Sequence, residues 1–274
     1  MRDDPWAALA PLYDWEHGAF VDDVAAYLAL ARRTGGPVLE GACGTGRVVL
    51  PLARQGFAVV GFDRSAAMLA LARARVAAAG LPGDRVRLFE GDLRSAEAGG
   101  PFGLAILALD ALGLLLEQSD QLAALRNLGG QLRRGGLLAI DVANGNARGG
   151  EPTEELRHHF TRPHPEHGRP VTKWVARHTD PAEQVDELCY LYDEVGLDGR
   201  VTRTVAWHRL RYFHRFELTW LVERVGLRIE GVYGDYDFSP FAAESPRLFV
   251  VARRPDDTPL ATDPGLGRSV APTG

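Results

Sequence analysis

Carboxylates stand at or just past the ends of apolar runs throughout this chain, at Glu40, Asp63, Asp92, Asp110, Asp141 and Asp235. The first is followed by the small-residue turn Ala42-Cys43-Gly44-Thr45-Gly46, whose backbone is free to approach a ligand closely. A second apolar run, Ala58 to Phe62, ends in Asp63, about one β-α-β half-unit after the turn, where a carboxylate takes both hydroxyls of a ribose. The pattern predicts a nucleoside site. In an open, mostly parallel sheet, ligands bind outside the carboxyl ends of the strands, which is where these acids fall. An acidic rim suits a cationic ligand better than a pyrophosphate, which wants helix N-termini and cations. Asp141 reads equally well as a residue that turns the chain or caps the next helix.

The elements that must position these groups are legible around them. Pro37 to Leu39 reads as a strand and a helix starts near Arg47, with Pro51 in its first turn and Gly56 as its cap. Ser65 is placed to N-cap the alanine-rich helix Ala66 to Ala79, which stops at Gly80 with Pro82 beyond. Further strands are expected at Val86–Glu90, Phe102–Leu109 and Leu137–Val142. After the loop 145–150 the period changes to two, with candidate strands at Val171–His178, Val185–Tyr192 and Val201–His208 joined by Asp180-Pro181 and Asp198-Gly199 turns. The helical period then returns at Phe216–Val225 with Gly226 as cap, followed by strands Arg228–Tyr233 and Leu248–Ala252.

A dinucleotide site wants G-x-G-x-x-G, and Val49 stands where its third glycine belongs. The run Glu40-Gly41-Ala42-Cys43-Gly44-Thr45-Gly46 instead resembles the E/D-x-G-x-G-x-G loop of the class I S-adenosyl-L-methionine (SAM) dependent methyltransferases, with Ala42 in place of the first glycine. Gly91-Asp92-Leu93 after the third strand resembles the family's adenine-amine acid, and Arg134-Gly135-Gly136 its L-x-P-G-G entry to the fifth strand, with Arg134 replacing proline. The resemblance covers roughly residues 36 to 145. It implies an α/β fold: a Rossmann-like, seven-stranded class I methyltransferase sheet with helices on both faces and an inserted antiparallel β lid. It further implies a cofactor site of Glu40, Ala42, Cys43, Gly44, Gly46, Asp63, Arg64, Met68, Asp92, Leu93 and Leu109 that takes SAM and releases S-adenosylhomocysteine (SAH). On this basis residues 1–35 are expected to form a helical cover, 36–150 with 211–254 the SAM-binding domain, 151–210 the lid over the acceptor, and 255–274 a disordered tail.

Methyl transfer asks for orientation: a nucleophile in line with the methyl and sulfur, about 3 Å from the carbon, in an apolar cavity. A base is required only for an acceptor that arrives protonated or as a poorly acidic hydroxyl. Tyr13, in an aromatic N-terminal segment that resembles the family's cover over the SAM methyl, is the first catalytic candidate. Asp110, after the fourth strand, and His17 follow. Leu114 stands where many relatives carry a histidine, so no mechanism that needs it transfers here. Trp15, His159, Tyr233 and Tyr236 are expected at the acceptor. The group His158, His159, His164 and His167 does not read as a metal site, because Pro163 and Pro165 break its spacing and no cysteine is near. A SAM-binding sensor, an aminopropyl transferase and a nucleoside-using oxidoreductase are the competing readings, since fold alone does not fix function. N-methylation is favoured slightly over O-methylation.

A formal charge of −5 over 274 residues disfavours nucleic acid and anionic membranes as partners and leaves a small-molecule acceptor. Lys173 is the only lysine, Arg supplying the remaining positive charge. The two cysteines, Cys43 and Cys189, make no disulfide framework, which with the absence of a signal-like N-terminus points to the cytoplasm. The longest apolar run, Leu104 to Leu116, is interrupted by Asp110 and too short to span a bilayer. No oligomeric state follows from the sequence.

Overall fold

Strand Phe102–Leu107 (FGLAIL) is buried at every residue, as a strand apolar on both faces must be when helices cover both sides of a parallel sheet. It lies near the middle of a seven-stranded sheet in the computed structural model, which describes residues 4, 6–148, 153–164 and 166–256. In chain order the elements are α1 (Ala10–His17), α2 (Val24–Thr34), β1 (Val38–Gly41), α3 (Val49–Arg54), β2 (Val59–Asp63), α4 (Ala66–Ala78), β3 (Val86–Glu90), β4 (Phe102–Leu107), α5 (Gln118–Gln131) and β5 (Leu132–Ala143). Four strands follow, β6 (Thr153–Pro163), β7 (Pro170–Asp180), β8 (Val185–Val195) and β9 (Val201–Arg211), then α6 (Arg215–Arg224), β10 (Arg228–Tyr233) and β11 (Arg247–Arg253). Residues 257–274, most of the expected disordered tail, lie outside the described residues.

The large sheet runs β3-β2-β1-β4-β5-β11-β10, with β11 antiparallel to both its neighbours and the pairs from β3 to β5 parallel. Strand order reverses between β1 and β4, and at that switch point the loops after the two strands part and open a crevice. One face packs on α5 and α6 through Leu125, Leu128, Leu218 and Leu221. The other packs on α2, α3 and α4 through Tyr27, Leu30, Leu52 and Leu69. Phe249 of β11, fully buried, anchors that second core against the rings of Tyr27, Tyr233, Tyr236 and Phe238.

The second sheet is antiparallel, in the order β6-β7-β8-β9. It has one strand more than the alternation suggested: β6 is rich in charge and histidine, and a register shift between His158 and Phe160 breaks its period of two. Its inner face packs on α1, with Leu9, Phe160, Val171, Tyr192 and Ala206 buried together. Of the two N-terminal helices, α1 therefore meets the second sheet while α2 belongs to the main core.

Replacing Phe249 with alanine is expected to cost about 3–5 kcal/mol, read as a lower urea midpoint at unchanged slope.

Candidate active site

The turn after β1 needs left-handed backbone at Ala42, Gly44 and Gly46, with φ of 53°, 52° and 78°. For two of them glycine makes this free, but Ala42 pays the steric cost of a Cβ in that region. What holds the turn is Asp63, at the end of β2. Its Oδ2 accepts from the Gly44 N–H and its Oδ1 from the Ser65 N–H, both at 2.8 Å. Ser65 in turn N-caps α4 by accepting from the Met68 N–H at 3.1 Å. Its hydroxyl donates to Asp4 at 2.7 Å, which brings the N-terminal segment over this end of the crevice.

Glu40 sits behind the turn, 3 % exposed, and its Oε2 has no hydrogen-bond partner. Burial pushes its carboxyl up to about 8, against the nearby Arg47 and a backbone hydrogen bond from Val49. Arg47 does not neutralise it, being committed to a buried bidentate pair with Asp23, both contacts 2.6 Å. Burial also raises the Asp63 carboxyl. A buried acid with an orphan oxygen and a half-buried one thus face a turn whose amides are partly spent.

The remaining cofactor candidates form two groups. Cys43, Met68 and Leu93 are buried apolar wall, whereas Arg64 is largely exposed. Asp92 is gripped by Arg94, whose backbone N–H, Nε and Nη2 lie at 2.9, 2.9 and 2.7 Å, and this holds its carboxyl down at about 2. Leu109 and Asp110 are consecutive left-handed residues, φ 45° and 63°. Fully buried Asp141 secures them, accepting from the Leu109 N–H at 3.0 Å, Tyr236 Oη at 3.1 Å and Arg247 Nε at 2.7 Å. Asp110 itself accepts from the Ala143 N–H at 2.5 Å and pairs with Arg247 at 3.3 Å. It is therefore tied into a network with Arg247 and the Ala143 amide.

Tyr13 lies against the turn: a Cβ built on Gly44 would come 3.9 Å from its ring. Burial lifts its phenol to about 12, so it stays protonated. His17, one helical turn on, lies tilted against the Tyr13 ring, centroids 4.4 Å apart, and is half-buried, where a surface helix position would have left it exposed. Burial holds its imidazole at about 4, hence neutral. Trp15 packs edge-on to Phe160 and beside His164. His159, at the β6 irregularity, approaches Glu16 at 3.6 Å. Tyr233 packs on Phe249 and Phe238 in the second core, away from the α1 aromatics, and Tyr236 reaches Asp141. Among the described residues, no cluster of three or more His, Cys, Asp or Glu is placed to hold a metal.

Several groups here carried no sequence signal of a place in the site. Glu16 and Lys173 form a buried pair, joined by Tyr192. His208 of β9 stacks on Trp6 at 4.3 Å, with Nε2 unpartnered and its imidazole held by burial at about 4. Arg247 and Asp23 complete the list. Each is joined to partners far away in sequence, which no local pattern announces.

A family model described as "Methyltransferase domain" matches residues 38–136, the segment that carries the turn, Asp63 and Asp92. Residues 38–136 are thus similar to a methyltransferase domain, on a fold that matches class I methyltransferase structures. The cypemycin N-terminal methyltransferase of a Streptomyces species is 28 % identical over 224 residues, 80 % of this chain and 84 % of that one. Two other curated methyltransferases are matched over 41 % and 42 % of their own length. Among solved structures, the CcbJ methyltransferase from Streptomyces caelestis superposes with a TM-score of 0.79 at 25 % identity, over 92 % of this chain and 98 % of that one. SAM-bound CalS10, an amino pentose methyltransferase from Micromonospora echinaspora, gives 0.63 at 26 % identity over 87 % and 91 %.

Two outcomes follow from the turn. Ala42→Gly relieves left-handed strain and is expected to raise stability by about 0.5–1 kcal/mol, less than the strain itself because glycine loosens the unfolded chain; urea melts read it. Between its ordinary 4.5 and about 8, Glu40 keeps its proton in the folded chain and loses it in the unfolded one. The folded state then binds more protons, so stability falls as pH rises through that window. Thermal melts from pH 5 to 8 should show the wild type losing ground to Glu40→Gln as pH rises.

Proposed function

We propose that this protein transfers the methyl group of SAM to a small-molecule acceptor, with nitrogen ahead of oxygen as the atom methylated. The observation that carries the cofactor side is the pair of acids at the glycine turn, half-buried Asp63 fixed by two amides and buried Glu40 with an orphan oxygen. A buried carboxylate without a partner is costly unless something cationic completes it. The α-ammonium of SAM is such a group, and the residues present fit it. Asp63 retains lone pairs for the ribose hydroxyls, and Asp92 those for the adenine amine. Cys43, Met68, Leu93 and Leu109 give apolar walls to the base, with Arg64 at the mouth, and the backbone of Ala42, Gly44 and Gly46 makes room for the methionyl chain.

When bound, SAM supplies an electrophilic methyl on a sulfonium. The chain's own contribution is to orient the acceptor and keep water out. Tyr13, protonated and lying over the turn, is the first candidate to face the methyl, with the neutral imidazole of His17 beside it as a hydrogen-bond or proton acceptor for an incoming amine. The antiparallel sheet acts as a lid whose inner face, with His159 of β6 and with Trp15 of α1 against it, walls the acceptor. The nitrogen preference is supported by the names of two relatives, one an N-terminal and one an amino pentose methyltransferase. Two free, buried cysteines suit a reducing cytoplasm, and no described helix is long and apolar enough to cross a membrane.

Asp63→Ala removes the ribose acceptor and the anchor of Gly44 together. Calorimetry with SAH should show affinity falling by at least about 1.5–3 kcal/mol; unchanged affinity would contradict the assignment.

A further inference from the structure

The single lysine of the chain is buried, and its ammonium faces a carboxylate on another element. Lys173 Nζ on β7 lies 2.7 Å from both oxygens of Glu16 on α1, and the two side chains are 5 % and 6 % exposed. Tyr192 on β8 donates its hydroxyl to Glu16 Oε2 at 2.6 Å. The face of Tyr190 lies 4.2 Å from the ammonium. His17 and His159 approach Glu16 Oε1 at 3.7 and 3.6 Å. Burial would raise the Glu16 carboxyl, but Lys173 and Tyr192 hold it below its ordinary value, so it is the charged partner of the cluster.

Such a pair is a poor device for stability, because desolvation consumes most of the attraction and apolar residues of the same size serve as well. What it does provide is a unique register. A compact ammonium between two carboxylate oxygens and a tyrosine face fixes where α1 sits on the lid. On its other side α1 is tied to the core, through Asp14 and Arg75 of α4 at 2.7 Å. The helix thus spans core and lid on two ion pairs, and Tyr13, between Asp14 and Trp6 along the segment, is the residue it lays over the Gly44 turn.

We propose that Lys173 is a positioning residue for methyl transfer: through Glu16 it locks the N-terminal helix onto the lid and so holds Tyr13 over the cofactor crevice. This rests on the cofactor assignment above. Removing the pair frees the helix to lift, which opens the crevice and speeds exchange of its occupant, an effect expressed mainly in the dissociation rate.

The test is SAH release, followed by stopped-flow tryptophan fluorescence, in wild type, K173M, K173R and the double variant K173M/E16Q. Hydrogen–deuterium exchange of residues 10–17 is read alongside with SAH bound. K173M should release SAH about tenfold faster and exchange α1 amides faster, at a melting temperature too little changed to account for it, and K173R should restore slow release. K173M leaves Glu16 buried and unpaired; should it not fold, the double variant, with both charges gone, carries the same expectation. A folded double variant that releases SAH and exchanges α1 as wild type does overturns the proposal. Wild type that fails to bind SAH at all overturns the cofactor assignment and this proposal with it.

Discussion

The crevice depends on one carboxylate. Asp63 spends its two oxygens on the amides of Gly44 and Ser65, and so binds the turn after β1 to the start of α4. Without it the left-handed run at Ala42, Gly44 and Gly46 keeps only the backbone bonds from the Cys43 amide to Phe62 and from the Gly46 amide to Cys43, and the N-cap that begins α4 loses its approach. Each hydrogen bond to a charged acceptor is worth about 1.5–3 kcal/mol, more than the strain of one alanine at positive φ. The turn can therefore carry Ala42 where the family pattern has glycine.

Desolvated charge is the theme of the rest of the site. Asp23 with Arg47, Asp141 with Arg247 and Glu16 with Lys173 are each largely withdrawn from water and each matched at hydrogen-bond distance. Glu40 is the exception, with an orphan oxygen and a carboxyl pushed toward its neutral form. The imidazoles of His17 and His208 are likewise driven neutral by burial. The protein thus matches charge where it builds structure and leaves neutral or half-satisfied groups where a ligand would complete them, which is the pattern of an active site.

Most strands of the large sheet and the place of the turn were readable because they rest on local signals: apolar runs of strand length, Gly56, Gly80 and Gly226 as helix stops, and acids at the ends of several strands; the sheet itself was implied only by the family resemblance. Strand β6 escaped because the shift at His159 breaks its period and most of its side chains are polar. The pairs that join distant elements escaped for another reason. Glu16 and Lys173 are separated by 157 residues, and only the rarity of lysine in an arginine-rich chain set Lys173 apart. Asp110 shows the opposite limit: its position after β4 was legible, but its engagement with Arg247 and the Ala143 amide depends on where β5 and β11 lie.

The central claim is that the Glu40–Asp63 crevice is a site for SAM and its product. The most direct test is calorimetric titration of the wild-type protein with SAH near pH 7, in buffers of different ionisation enthalpy, beside NAD as control. The account predicts SAH binding with release of a proton, because Glu40 ionises when it meets the ligand's ammonium, and no comparable binding of NAD. Absence of SAH binding, or preference for NAD, would contradict it.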